Sequence, residues 1–182
     1  ARSDLTRPIG AEMPGGFEKN PGQGIHDPLW AEAACFDDGK TELAVVGVDL
    51  ILITRDMVVL ARSQAEQRCG IPAGNILIGA SHTHNGGPVG DSFNVVSDPA
   101  YCTMAAGKIA DAVVQAHDGA VEARISTGAG HEDTVGFNRR FKMKDGSVKT
   151  HPGKMNPDIV EAAGPIDPEV GVIAVEDTQG KL

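Results

Sequence analysis

The chain alternates between two hydrophobic rhythms, one suited to strands and one to helices. Residues 29–36 and 42–50 are apolar runs of strand length. Asp37-Asp38-Gly39-Lys40 between them is a hairpin signal, because Asp and Gly tolerate the positive φ of tight turns. The second run, Glu42 to Leu50, is nearly all apolar, which predicts a strand covered on both faces. A helical period follows over 55–68, with Met57, Ala61, Ala65 and Cys69 on one stripe, Thr54 as the N-cap, and Gly70 then Pro72 as the stop. Asn75 to Ala80 reads as a short buried strand and 81–98 as a polar, glycine-containing loop. Asp98 or Ser97 caps a second helix that has Pro99 in its first turn, runs to about His117, and carries Ala105, Ile109, Val113 and Ala116 on one face.

The ends of the chain are less regular. Residues 1–28 are rich in Gly and Pro and predict an irregular arm lying over a core. Glu122 to Thr127 and Val170 to Val175 read as strands. The stretch between them, 128–168, reads as loop-rich with a hairpin signal at Asp145-Gly146. Asp177-Thr178-Gln179-Gly180 is a turn that leads toward a further strand, so an unpaired edge and a longer parent protein are expected. Strands alternating with helices predict an α/β fold: a sandwich of mixed β-sheet flanked by helices, forming part of a larger catalytic domain. The whole of 1–182 reads as one portion of that domain.

Composition narrows the partners. Sixteen Lys and Arg against 25 Asp and Glu give 182 residues a formal net charge of −9, with no basic cluster, which argues against nucleic acid. No apolar run approaches the roughly 20 residues a transmembrane helix needs. Aromatics are only 4%, so the core must come from Val, Ile, Leu and Ala. Cys35, Cys69 and Cys102 are far apart and odd in number, and read as small buried hydrophobes rather than a disulfide framework or a thiolate zinc site. The chain begins with Ala1 rather than Met, consistent with a removed leader or a longer precursor.

The chemistry concentrates after the short strand, in Ser81-His82-Thr83-His84-Asn85-Gly86-Gly87-Pro88. In extended backbone His82 and His84 project to one side, because the side-chain period is two. Two imidazoles at a strand end, followed by glycines that let a substrate approach, form a hydrolytic zinc half-site; the alternative is two polar loop histidines. A metallo-β-lactamase pattern would carry Asp where Gly86 stands. Asp49, at the end of an apolar strand, is either a partner for a zinc histidine or a cap for the turn before Thr54. His26 is a ligand candidate or a loop histidine. His117 suits a helix C-terminus, and His131 and His151 sit in polar loops. The Arg139-Arg140 pair offers a guanidinium fork for a carbonyl or carboxylate, or a solvated pair beside a strand.

Taken together, Leu5-Thr6-Arg7-Pro8-Ile9-Gly10, Gly24-Ile25-His26-Asp27-Pro28-Leu29, Val48-Asp49-Leu50, Ser81-His82-Thr83-His84 through Pro88, and Asn138-Arg139 resemble the N-terminal catalytic region of the neutral/alkaline non-lysosomal ceramidases and their ceramidase-like relatives. The resemblance runs in order over most of the chain. It implies a zinc amidase that cleaves an N-acyl bond in a sphingolipid-like or other N-acyl substrate, a small-molecule or lipid amide. It implies His82 as a zinc ligand, His84 facing the reacting water and substrate, and Arg139 lining the same pocket. The family's other ligands, a His, a Glu and a Tyr, would fall in a C-terminal remainder beyond Leu182, and a secreted or periplasmic setting follows from the same likeness.

The reaction so implied is metal-assisted amide hydrolysis, with zinc lowering the pKa of water to about 7, His84 moving the proton and Arg139 steadying the oxyanion. Two rival readings stand beside it. One is an amidohydrolase-like zinc hydrolase, with further ligands on later barrel strands; the other is a non-catalytic α/β module that retains the H-x-H motif.

Overall fold

The computed structural model of the protein describes residues 1–91 and 95–181; residues 92–94, inside the expected loop 81–98, and Leu182 lie outside them. The chain divides into two compact units, Ala1–Ala120 and Val121–Leu182.

The first unit is an α/β layer pair. Its sheet has the order β1-β2-β3-β4, built from β1 (Arg2–Asp4), β2 (Trp30–Asp37), β3 (Glu42–Val48) and β4 (Ile76–Ala80). β1 and β3 both run antiparallel to β2, whereas β3 and β4 are parallel, with Ala44 opposite Ile76 and Val48 opposite Ala80. The predicted hairpin joins β2 to β3: Asp38 accepts from the backbone N–H groups of Lys40 and Thr41, and Gly39 takes φ +79°. α1 (Arg55–Cys69) is the crossover between the parallel strands. Thr54 caps its first turn by accepting from Met57 N, and Gly70 ends it in the left-handed conformation at φ +85°. α2 (Pro99–Asp118) starts at Asp98, whose carboxylate accepts from Ala100 N and Tyr101 N.

Both helices cover one face of the sheet. Ala31, Ala33, Ala44, Val46, Val48, Ile76 and Ile78 are buried there against Met57, Ala61, Ala65, Ala105, Ile109 and Val113. Small residues predominate in both layers, so the layers approach closely and aromatic bulk is not needed. The other face corrects the expectation for Glu42–Leu50 and for Asn75–Ala80. Leu43 and Val45 are 38% and 41% exposed and Leu77 is 62% exposed, so these strands alternate rather than being covered on both sides. An apolar run shows that a strand tolerates burial on both faces, but a second layer must exist to impose it.

The arm 1–28 does lie over this core. Its first residues form β1, missed by sequence reasoning because Arg2-Ser3-Asp4 is short and polar. Leu5 is fully buried, and its carbonyl accepts a hydrogen bond of 2.6 Å from the buried Tyr101 hydroxyl on α2. Gly87 makes room for that ring, since a Cβ there would fall 2.2 Å from Tyr101 Cζ.

The second unit is all β. β5 (Ala123–His131) pairs antiparallel with β9 (Glu169–Asp177) over nine residues, and β6 (Arg140–Met143) is flanked by β7 (Val148–Thr150) and β8 (Ile159–Ala162). The hairpin at Asp145-Gly146 is present, with Gly146 at φ +82°. The three short strands correct the reading of 128–168 as loop: their residues are mostly exposed and mixed in polarity, so they leave no apolar run. Asp177 to Gly180 forms the expected turn, closed by a hydrogen bond from Gly180 N to Asp177 O.

Tyr101 is the only tyrosine in the chain, and burial pushes its pKa up to about 12. Titration of phenolate absorbance is expected to show a midpoint near 12 in the folded chain and near the ordinary value of about 10 in urea. The folded state then holds a proton that the unfolded state has released, so this group's contribution to stability falls as pH rises above about 10. Tyr101→Phe leaves the buried Leu5 carbonyl without its donor and is expected to cost about 1–3 kcal/mol by urea denaturation. A midpoint near 10 in the folded chain would contradict the packing.

Candidate active site

Parallel pairing of β3 with β4 ends both strands on the same edge of the sheet, where open α/β sheets bind ligands. The segment after β3, Asp49 to Ile53, therefore meets the segment after β4, Ser81 to Gly90. Ser81 N donates to Val48 O and His82 N to Leu50 O, at 2.9 and 3.0 Å.

His82 departs from the extended backbone expected for it. Its φ is +64°, in the left-handed region that costs a non-glycine residue on the order of 1 kcal/mol. The local hydrogen bonds hold it there. The ring Nδ1 lies 2.7 Å from the carbonyl oxygen of Ile51. A carbonyl can only accept, so Nδ1 carries a proton, and in the neutral ring Nε2 keeps its lone pair. This is how metal-binding histidines are commonly oriented, with the second ring nitrogen donating to a fixed acceptor. The backbone partner was not legible in the sequence: Ile51 contributes a main-chain oxygen, which no side-chain motif marks.

The two histidines are brought together, though not by strand alternation. Their ring centroids are 5.1 Å apart and the planes stand at 85°, edge to face. Both side chains are exposed. The arm holds His84 in place: a Cβ on Gly15 would sit 2.5 Å from His84 Cγ and Nδ1, and Gly15 itself has φ +108°. Glycine is required there on both counts.

The structure corrects both readings of Asp49. Its carboxylate accepts from Trp30 N at 3.0 Å and from the Ser81 hydroxyl at 3.3 Å. It thus ties β2 to the loop after β4; among the described residues it hydrogen-bonds neither His82 nor the turn before Thr54. His26 is almost fully exposed and pairs with Asp27 at 2.7 Å. The hydrogen bond to Asp27, helped by its charge, raises the His26 pKa above the usual imidazole value. His117 does sit at the C-terminal end of α2, beside Asp118 and Glu42. Arg139 belongs to the second unit, exposed just before β6, where its carbonyl accepts from His151 N.

A cavity of about 630 Å³ opens between the arm and the loop after β4. Its wall includes Arg7, Met13, His26, Asp49, Thr83 and Asn85. Thr83 and Asn85 flank His84 in sequence, so the cavity borders the histidine loop. Among the described residues, no group of three or more His, Cys, Asp or Glu side chains is placed to hold a metal. His82, with Nδ1 held by the Ile51 carbonyl, offers Nε2 to a metal, and its loop is a candidate half-site rather than a full ligand set.

Comparison with known proteins bears on this geometry. No protein-family model matches the chain. Over 169 residues, 87% of its length, the chain is 30% identical to neutral ceramidase from Pseudomonas aeruginosa. Over that span the chain is similar to neutral ceramidase. It spans about a quarter of that relative, 24% of its length. The crystal structure of the Pseudomonas aeruginosa neutral ceramidase superposes on 99% of this chain and 29% of its own, with TM-score 0.67 and 23% identity. A structure of ceramidase complexed with C2 gives TM-score 0.66 at the same identity, covering 99% of this chain and 28% of its own. At that identity the two structures establish the fold, which is the α/β arrangement expected from the sequence. The ceramidase resemblance read from the ordered motifs agrees with all three.

Two tests follow from the site. Gly15→Ala is expected to displace the His84 ring and to remove the ring-to-ring nuclear Overhauser contacts between His82 and His84. Gly24→Ala, with open space around the new methyl, should preserve them; persistence of the contacts in Gly15→Ala would contradict the clamp. His26 should titrate above the ordinary value of about 6.5 by proton NMR, with its charge lost only as pH rises through that elevated midpoint. Asp27→Asn should bring the midpoint back down.

Proposed function

We propose that this chain supplies part of a zinc-dependent amide hydrolase of the ceramidase type, acting on the N-acyl bond of a sphingolipid-like or other N-acyl substrate. The observation that carries the proposal is the hydrogen bond between His82 Nδ1 and Ile51 O, which fixes the tautomer and leaves Nε2 for a metal. Similarity to neutral ceramidase supports the reaction class. The rival amidohydrolase reading needs ligands on successive barrel strands, whereas the sheet here is mixed and only β3 and β4 pair in parallel.

In this reading His82 would hold the metal through Nε2. Zinc, when bound, acidifies water and polarises the scissile carbonyl. His84, an edge-to-face neighbour of His82, takes a proton from the attacking water and delivers it to the departing amine, work that suits an imidazole near neutral pH. The glycines after His84 keep the approach open. Arg139, by its match to a family pocket arginine, is assigned the charge that develops on the carbonyl oxygen. A catalytic zinc needs about three protein ligands plus water, so the donors beyond His82 are assigned to residues outside this chain.

The 182-residue chain is accordingly expected to bind zinc weakly and to hydrolyse a fluorogenic N-acyl amide hardly faster than zinc in solution. The protein as its gene encodes it should turn the substrate over, lose activity to a chelator, and regain it with zinc. His82→Ala in that protein should lower kcat/KM by at least about 100-fold, beyond the effect typical of removing an outer-sphere partner. Full turnover in the presence of chelator, or an unaffected His82→Ala variant, would rule the proposal out.

A further inference from the structure

Arg7 is only 6% exposed, yet among the described residues no carboxylate forms an ion pair with it. Its Nη2 donates to the Met13 sulfur at 2.9 Å, a weak acceptor, and its Nη1 makes a long hydrogen bond of 3.4 Å to the Pro8 carbonyl; neither partner carries a charge. Its Nε is buried without a hydrogen-bond partner. The guanidinium lies so close to the arm that a Cβ on Gly22 would fall 1.7 Å from Nη1. A buried, unpaired cation is expensive, so an anionic partner at this position would stabilise it.

The surroundings indicate where that anion would sit. Arg7 stands in the wall of the cavity of about 630 Å³ that borders the histidine loop, within the usual size range for small-molecule sites. Most of that wall is polar, with Thr6, Gln23, Thr83 and Asn85 among the lining residues, so the cavity suits a head group rather than an acyl chain. Two carboxylates share the wall, and each already has a partner. Asp49 accepts from Trp30 and Ser81, and Asp27 pairs with His26. Arg7 is therefore the cation left to be neutralised. Met13, which touches the guanidinium, is two residues from Gly15, which touches His84, so one short stretch of arm spans both groups.

We infer that this cavity is the head-group subsite of the proposed amidase, and that Arg7 in it selects N-acyl amides bearing an anionic group, carboxylate or phosphate, on the amine side. The inference rests on the amidase reading for the identity of the ligand, but binding can be measured without turnover. A planar fork with unused N–H donors matches either oxyanion.

The test is isothermal titration of the chain at low ionic strength, without metal, with three probes that share one acyl chain: N-lauroylglycine, N-lauroylethanolamine phosphate and the neutral N-lauroylethanolamine. The expected result is at least about tenfold tighter binding of one or both anionic probes, with the preference shrinking as salt is added. The better of the two identifies the oxyanion. Arg7→Met should abolish the preference, while Arg7→Lys, which keeps the charge and loses the fork, should retain part of it. Circular dichroism checks that each variant folds; if Arg7→Met does not, the Arg7→Lys comparison and the salt dependence decide. Equal binding of all three probes by the unsubstituted chain would overturn the subsite. So would an anion preference unchanged in folded Arg7→Met or Arg7→Lys. A chain that shows the preference while the zinc-loaded protein fails to hydrolyse amides would instead remove the amidase reading and leave an anion site.

Discussion

The parallel register of β3 and β4 is the constraint on which the rest depends. Because the two strands point the same way and end together, the chain leaving β3 and the chain leaving β4 must share one edge of the sheet. Ile51 and His82 meet there, and a main-chain carbonyl decides which imidazole nitrogen holds the proton. The left-handed backbone at His82 is a consequence: its N–H and its ring nitrogen both reach back to the 50–51 segment, and together they hold a conformation that an isolated histidine would avoid.

The arm completes the same edge. Leu5 is pinned by the Tyr101 hydroxyl, Arg7 by Met13 and the close backbone of Gly22, and Gly15 closes over His84. A Gly- and Pro-rich segment with no period of its own thus does three jobs that need close backbone approach. Its low helical and strand propensity leaves it free to follow the core surface. Neither the fold nor the cavity wall would survive its removal unchanged, since it contributes both the fully buried Leu5 and most of the cavity lining.

Legibility in the sequence followed how local the physics is. Both helices were readable almost to the residue, because Thr54, Gly70, Asp98 and Pro99 act on the turn beside them. The β2–β3 hairpin was readable from Asp38-Gly39 for the same reason. Coverage of a strand is not local: the run Glu42–Leu50 could not announce that only one of its faces meets helices. The short strands β6 to β8 were hidden because exposed strands of mixed polarity carry no hydrophobic signature. In the site, His82 and His84 stood out as a pair, but the reason they meet did not. Asp49 drew attention as a costly carboxylate, yet its bonds go to Trp30 and Ser81, while the partner of His82 is a peptide oxygen. Arg7 drew none in its own right, since a lone arginine in a loop shows its burial only in three dimensions.

The central claim is that the Ile51 carbonyl fixes the His82 tautomer and so leaves Nε2 unprotonated in the neutral ring. A long-range proton–nitrogen correlation spectrum of the nitrogen-15-labelled chain, recorded at a pH where His82 is neutral, tests it directly. The account requires a protonated Nδ1 and an unprotonated Nε2, with the Nε2 resonance alone shifting strongly as zinc is added. A His82 ring protonated at Nε2, or one exchanging freely between tautomers, would contradict it.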